Sequence, residues 1–121
     1  MSKQQRANRT ATVVPTANIV AKRFVTLAWT QAVANAGAVS TPLLGVSNEN
    51  ITAGNAGLVI RGETAIVESG GALDGLEARL QTDANGRAIV WLTGQNVAAY
   101  LVPGQTATAA GQFVEIYMVQ F

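Results

Sequence analysis

Apolar and polar residues alternate along short segments of this chain, and glycine-containing polar segments separate them. The apolar segments favour Val, Ile, Thr and aromatic residues, which is the composition of strands rather than helices. The pattern predicts eight strands, at residues 20–29, 42–46, 57–61, 64–68, 76–82, 87–93, 98–102 and 113–120. Short strands at regular intervals with turn residues between them are typical of a small antiparallel β-sandwich or barrel.

Two of the intervening turns carry specific predictions. The dipeptide Asn85-Gly86 lies between two predicted strands, and Asn-Gly is the strongest short signal for a β-hairpin. The tripeptide 61–63 separates two other strands so tightly that they form either a hairpin or one strand with a glycine bulge. The residues alone leave both alternatives open. Trp91 lies inside an alternating strand and is therefore predicted to be part of the core.

Charge divides the chain into two parts. The first five charged residues are all basic, and they are Lys3, Arg6, Arg9, Lys22 and Arg23. Beyond them the chain has three Arg and seven acidic residues, the first of which is Glu49. The first 18 residues are polar and do not alternate, so we expect them to be extended or disordered without a partner. The sequence thus predicts an extended N-terminal arm, residues 1–23, and a β domain, residues 24–121.

A basic arm of this kind has two interpretations. Chain ends are commonly loose and charged, so it could be an ordinary solvated terminus. The charge asymmetry favours the other interpretation, in which the arm docks on a partner surface. Run 10–14 would then pair with a neighbouring sheet edge. The residues predicted to make this contact are Lys3, Arg6, Arg9, Thr10, Val13, Val14, Lys22 and Arg23.

The composition argues against catalysis and against metal or cofactor binding. The chain has no Cys and no His, which excludes disulfides, thiolate metal sites and a histidine base. Gly-rich residues 70–75 lack the Lys-Ser/Thr of a phosphate loop, and residues 83–86 lack the spacing of a calcium loop. Asp74 and Glu77 lie in a glycine-rich turn, where we expect them to be solvated rather than catalytic. We predict no enzyme activity, no metal and no cofactor.

Nucleic acid and membrane are also unexpected as partners. The basic arm has no interleaved aromatic residues and the rest of the chain is acidic, which disfavours specific nucleic-acid binding. No apolar run approaches the ~20 residues that span a bilayer, and the N-terminal residues lack the apolar stretch of a signal peptide. We therefore expect a soluble, unsecreted protein.

The surface and the last strand predict self-association. Charged residues are only 12% of the chain, which suggests that neighbouring subunits cover much of the surface. Alternate residues of the last strand form one face with aromatic side chains. The predicted oligomer-contact residues are Phe113, Tyr117, Val119 and Phe121. Closed symmetric oligomers are the usual outcome, and we expect a homotrimer, or next a dimer.

The order of short phrases along the chain resembles a known family. These phrases are Arg-Phe-Val-Thr-Leu at 23–27, Pro-Leu-Leu-Gly-Val-Ser at 42–47, Gly-Leu-Val-Ile-Arg-Gly at 57–62, Glu-Ser-Gly-Gly-Ala-Leu-Asp-Gly-Leu at 68–76, Thr-Asp-Ala-Asn-Gly-Arg-Ala at 82–88 and Ala-Ala-Gly-Gln-Phe-Val-Glu-Ile at 109–116. Together they are similar to the small capsid decoration, or cement, proteins of tailed bacteriophages.

The resemblance implies a compact β domain that clamps neighbouring major capsid protein subunits. Such a protein is made in the host cytoplasm and lies on the outer capsid surface of the virion. The alternative is a ligand- or carbohydrate-binding β module of a phage tail or receptor-binding structure.

Overall fold

The computed structural model describes residues 9–34 and 42–118, which form nine β-strands and no helix. In chain order the strands are β1 Thr10–Val13, β2 Phe24–Thr26, β3 Leu43–Ser47, β4 Gly57–Ile60, β5 Thr64–Glu68, β6 Arg79–Thr82, β7 Ala88–Val90, β8 Ala99–Leu101 and β9 Phe113–Met118. The predicted all-β class is confirmed. Strands β2 to β9 fall at the eight predicted positions, although several are shorter than expected.

The strands form two antiparallel sheets. The four-stranded sheet has the order β1-β4-β3-β2, and the five-stranded sheet has the order β5-β9-β8-β6-β7. A bridge between Ser69 and Ala88, with Gly70 N donating to Ala88 O at 2.7 Å, joins the end of β5 to β7. The five-stranded sheet is therefore curled into a half-barrel, and the predicted small sandwich or barrel is confirmed.

The hairpin predicted at Asn85-Gly86 is present between β6 and β7. Thr82 pairs with Ala88, and Gly86 N donates to Asp83 O at 3.2 Å. Gly86 has a φ of 76°, whereas Asn85 is not among the residues with positive φ. The loop is therefore a type I turn followed by a glycine bulge, rather than a two-residue turn in which both residues have positive φ.

Strands β4 and β5 belong to different sheets, so both alternatives predicted for residues 61–63 are wrong. The chain crosses between the sheets at this tripeptide. Gly62 is buried there, and a Cβ at this position would come to 2.6 Å from the backbone N of Arg9. The glycine thus permits a close approach of two chain segments instead of a bulge.

Two cores stabilise the domain. The main core lies between the sheets and includes Phe24 and Val46 from one sheet with Val67 and Ile116 from the other. The second core covers the opposite face of the four-stranded sheet. Its buried residues are Val13, Ile19, Val25, Ile51 and Val59. The four-stranded sheet is therefore buried on both faces, since successive side chains of a strand point to opposite faces.

The second core corrects the expected arm. β1 pairs with β4 from Thr10 to Val13, Val13 is fully buried, and Ile19 bridges Ile51 with 2% of its surface exposed. The prediction of an extended arm through residue 23 is wrong for residues 10–23, which belong to the folded domain. Single apolar residues among polar neighbours carry no alternation, so the pattern did not show this strand. The earlier residues Lys3 and Arg6 lie outside the described part of the chain.

Candidate interaction surfaces

The exposed residues in and next to β1 lie at a sheet edge. Arg9, Thr10 and Val14 are exposed, whereas Val13 points into the second core. The backbone of β1 already pairs with β4 of the same chain. The expected pairing of run 10–14 with a neighbouring sheet would therefore have to use the outer edge of β1.

Lys22 and Arg23 lie between the sheets rather than on an arm. Lys22 has a φ of 63°, and its Nζ lies 3.3 Å from Asn48 Oδ1. Arg23 Nη2 donates to Glu68 Oε1 at 3.1 Å, and Arg23 Nη1 donates to Asn85 O at 2.9 Å. Arg23 thus connects the start of β2 with the five-stranded sheet, and its charge is used inside the domain.

Arg23 is part of a cluster of four charged residues, which we call the intersheet cluster: Arg23, Glu68, Asp83 and Arg87. Arg87 Nε lies 3.0 Å from Asp83 Oδ2, and Arg87 Nη1 lies 3.8 Å from Glu68 Oε2. The exposed fraction of these side chains is between 15% and 24%. The two positive and two negative charges therefore balance in a largely desolvated place where both sheets meet.

Both described ends of the chain lie at residues 61–63, which we call the terminal corner. Arg9 O accepts hydrogen bonds from Arg61 N at 2.7 Å and Gly62 N at 3.2 Å, and Met118 N donates to Glu63 O at 2.9 Å. The side chains of Arg9 and Arg61 are exposed at this corner. Of the five N-terminal basic residues, the structure therefore brings Arg9 beside a later arginine and separates it from Lys22 and Arg23.

The outer surface of the five-stranded sheet carries exposed aromatic side chains. We call it the tyrosine face, and it comprises Ile66, Tyr100, Phe113, Glu115 and Tyr117. Tyr100 pairs with Tyr117 across β8 and β9, and Ile66 pairs with Glu115 across β5 and β9. The four large side chains are between 41% and 57% exposed. Such a group of apolar side chains on a sheet surface is typical of an interaction site.

The tyrosine face contains two of the four predicted oligomer-contact residues, Phe113 and Tyr117. Val119 and Phe121 lie outside the described residues. The sequence analysis missed Ile66 and Tyr100 because it considered the last strand alone. The alternation in Ala99, Tyr100 and Leu101, with only the tyrosine exposed, was the signal that could have added Tyr100.

Arg79 and Trp91 lie beside the tyrosine face. The guanidinium carbon of Arg79 is 4.1 Å from the centroid of the Trp91 ring, and Tyr100 pairs with Arg79 across β8 and β6. Trp91 is half-buried on this outer surface, so its predicted place in the core is wrong. Its ring instead stacks with the Arg79 cation, and its indole N–H donates to Gln95 O at 2.8 Å.

Glu77 completes this group. Arg79 Nε donates to Glu77 Oε2 at 2.8 Å, and Arg79 Nη2 donates to Glu77 Oε1 at 2.9 Å. These two side-chain hydrogen bonds, with a further one from the Arg79 backbone N–H, lower the pKa of Glu77 to about 2. The carboxylate is therefore held by the paired N–H donors of a single arginine side chain, which we call the Arg79 fork. Asp74, its predicted companion, instead accepts a hydrogen bond from Leu76 N in a turn.

We expect Arg79→Gln to raise the pKa of Glu77 towards the ordinary range of about 4.3, because both side-chain hydrogen bonds are lost and only the one from the backbone N–H of residue 79 remains. Since the wild-type pKa lies below the unfolded value, the small stabilisation is present above about pH 4.5 and is lost as pH falls through 2. Carbon-detected NMR titration of the carboxyl group measures this. Trp91→Leu is the control and should leave the pKa of Glu77 low. A wild-type Glu77 that titrates near 4.3 would contradict the fork.

A second exposed apolar group lies at the end of β2, and we call residues 26–33 the Trp29 loop. Its exposed large side chains are Leu27, Trp29 and Val33. Trp29 N donates to Thr26 O at 3.0 Å, and Thr26 N donates to Thr30 O at 2.8 Å. Trp29 has a φ of 64° within this tight turn. The sequence predicted a continuous strand as far as Trp29 and gave no signal for a turn at residues 26–29.

The described residues contain no cluster of three or more acidic side chains that could hold a metal ion. Within the same residues, no helix is long and apolar enough to cross a membrane. What the described surface offers is two apolar groups and a basic corner, which are features for binding macromolecules.

Comparison with known proteins gives one structural likeness. No protein-family model and no curated protein sequence matches the chain. Among solved structures, the chain is similar to the head fiber gp8.5 N base of bacteriophage phi29, with a TM-score of 0.69 and 18% sequence identity. The similarity covers 93% of this chain and 95% of that chain. At this identity the likeness concerns the fold, and it extends over nearly the whole of both chains.

Proposed function

We propose that this chain is a capsid decoration (cement) protein of a phage head. It binds the outer capsid surface, bridges neighbouring major capsid protein subunits and stabilises the particle. The observation that carries the proposal is the similarity of the whole fold to the base of a phage head fiber. The role needs no catalysis, metal or cofactor.

The terminal corner is the surface that we assign to the coat. Arg9 and Arg61 are exposed there beside Glu63, and the sequence adds Lys3 and Arg6 ahead of Arg9, among residues outside the described part of the chain. This concentration of positive charge suits an acidic patch on the major capsid protein. Thr10 and Val14 lie on the adjoining edge strand and extend the same surface.

The tyrosine face is the surface that we assign to self-association, as a homotrimer or next as a dimer. Tyr, Trp and Arg dominate the binding energy of protein interfaces, and all three types occur on or beside this face. Bridging then works by mass action, because a protein that binds only the assembled lattice stabilises it by RT ln(1 + [L]/Kd) per site.

The proposal predicts salt-dependent binding to undecorated heads. The variant Lys3→Gln/Arg6→Gln/Arg9→Gln should bind heads more weakly, because exposed ion pairs contribute about 0.2–1 kcal/mol each. Three of them correspond to a loss of up to about a hundredfold in affinity at low salt, and less at high salt. Co-sedimentation across a salt series measures both effects.

A matched control separates the effect of the charges at the terminal corner from the effect of the net charge of the protein. Ala84→Glu/Thr93→Glu/Ala110→Glu lowers the net charge by the same three units at exposed turn positions away from the corner. It should bind heads nearly as well as the wild type. Equal losses in both variants would contradict the assignment of the corner. Wild-type protein that sediments with tails and not with heads would contradict the decoration role and favour the tail module.

A further inference from the structure

Trp29 is held in an uncommon backbone conformation by the hydrogen bonds of its own turn. A φ of 64° is uncommon for any residue other than glycine, and for a bulky residue it marks strain. The turn is fixed by its backbone hydrogen bonds and by the contact of Thr26 Oγ1 with Thr30 Oγ1 at 2.7 Å. Strained residues cluster at binding sites, where the surrounding structure holds them in place. The turn therefore fixes the backbone from which the partly exposed Trp29 ring projects.

The Trp29 loop is apolar and uncharged. Leu27 is 50% exposed, Trp29 is 42% exposed and Val33 is 60% exposed. Residues 26–34 contain no charged side chain. No described residue accepts a hydrogen bond from the indole N–H of Trp29. The loop thus offers a neutral apolar projection whose indole N–H has no acceptor among the described residues, and an indole N–H can act only as a donor.

The tyrosine face carries a hydrogen-bond acceptor among its apolar side chains. Glu115 lies between Phe113 and Tyr117 on β9, and no described cation or donor contacts its carboxylate. Two copies that met face to face would bring two Glu115 carboxylates into one apolar contact. Burying two like charges together is unfavourable, so the face does not suit pairing with itself. It suits an apolar surface that supplies a hydrogen-bond donor.

One copy cannot join these two surfaces. Thr82 Oγ1 donates to Val33 O, and Thr82 is buried with Leu80 on the inner side of β6. Tyr100 pairs with Arg79, whose side chain is on the outer side of the same strand. The five-stranded sheet therefore lies between the Trp29 loop and the tyrosine face, and a contact between them requires a second copy.

We propose that the Trp29 loop of one copy docks on the tyrosine face of a second copy, with the indole N–H donating to the Glu115 carboxylate. This contact rests on the self-association proposed above, and it specifies the two surfaces that meet. Because the two surfaces differ, the contact is heterologous. Such a contact forms a closed ring when the rotation from each copy to the next leads back to the first copy. A homotrimer satisfies that condition.

Two variants test the contact in free protein, without heads. Trp29→Gly removes the ring and suits positive φ, so it should raise the thermal midpoint while it abolishes assembly. Glu115→Lys removes the acceptor on an exposed face and should also give monomers. Leu76→Asp is the control, since Leu76 is 91% exposed outside both surfaces, and it should assemble like the wild type. Native mass spectrometry and sedimentation velocity report the species.

Mixing gives the decisive measurement. The Trp29→Gly copy retains an intact face and the Glu115→Lys copy retains an intact loop, so the mixture should form 1:1 heterodimers. A mixture that stays monomeric, or either variant assembling like the wild type, would overturn the contact and leave the decoration role to the head-binding test. Wild-type protein that is monomeric at every concentration would overturn self-association together with the contact.

Discussion

Deletion of residues 1–23 is expected to unfold the domain, whereas deletion of residues 1–8 should move its thermal midpoint by only a few degrees. The longer deletion removes β1 and the buried side chains of Val13 and Ile19. Each fully buried aliphatic side chain stabilises by about 1.5–3 kcal/mol, and the pairing of β1 with β4 is lost as well. Few domains have more than about 15 kcal/mol of total stability. Circular dichroism during heating measures both deletions.

Adjacent valines provide a matched pair for the same test. Val13 is fully buried and Val14 is 44% exposed. Val13→Asp places a carboxylate in the second core without a partner and should unfold the protein or nearly so. Val14→Asp should change the free energy of unfolding by about 0.5 kcal/mol or less. Equal effects of the two substitutions, or a stable protein lacking residues 1–23, would contradict the second core.

Glu68→Gln is expected to be the most damaging single change to a charged side chain. The carboxylate of Glu68 neutralises Arg23 from one side and Arg87 from the other. Asp83 still pairs with Arg87, so the substitution leaves Arg23 without its carboxylate and the cluster with one uncompensated positive charge, in a place that is more than three-quarters buried. Breaking a buried ion pair costs about 3–5 kcal/mol, and the remaining solvent contact reduces this to about 2–4 kcal/mol. Urea unfolding gives the free energy directly.

The control for this change is Glu77→Gln. It also removes a carboxylate from a bidentate arginine contact, but on side chains that are 33% and 44% exposed. It should therefore alter the urea midpoint very little, because water replaces the lost contact. A second test combines Glu68→Gln with Arg23→Gln, which removes the uncompensated cation and should recover part of the lost free energy of unfolding. No recovery would mean that Glu68 acts outside the intersheet cluster.

The strands could be predicted because their signals are local. Asn85-Gly86 marked its hairpin through the turn chemistry of the two residues themselves. The alternation in β9 grouped Phe113 and Tyr117 on one face, and the structure shows that face exposed, with Val114 and Ile116 buried on the other. The sheet to which each strand belongs could not be predicted, because it depends on contacts between residues that are distant in the sequence. The crossing at Gly62 depends on the contact with Arg9, more than fifty residues earlier in the chain.

The candidate surfaces were only partly predictable for the same reason. Phe113 and Tyr117 shared one strand and were found, whereas Ile66 and Tyr100 join them only through strand pairing. The sequence analysis assigned Arg23 to the basic arm, yet the fold places its side chain against Glu68. Trp29 gave no signal, since propensity argues against a tryptophan at positive φ. Tertiary contacts override propensity at such positions.

The terminal corner has a practical consequence for attaching other molecules. Arg9 and Met118 are each hydrogen-bonded to the same tripeptide. Polypeptides fused ahead of Arg9 and behind Met118 would therefore emerge side by side from one end of the domain. A short linker between these positions would also suffice for a circular permutant opened at the exposed turn near Gly94. A single copy of this fold could therefore carry two different fused polypeptides as neighbours.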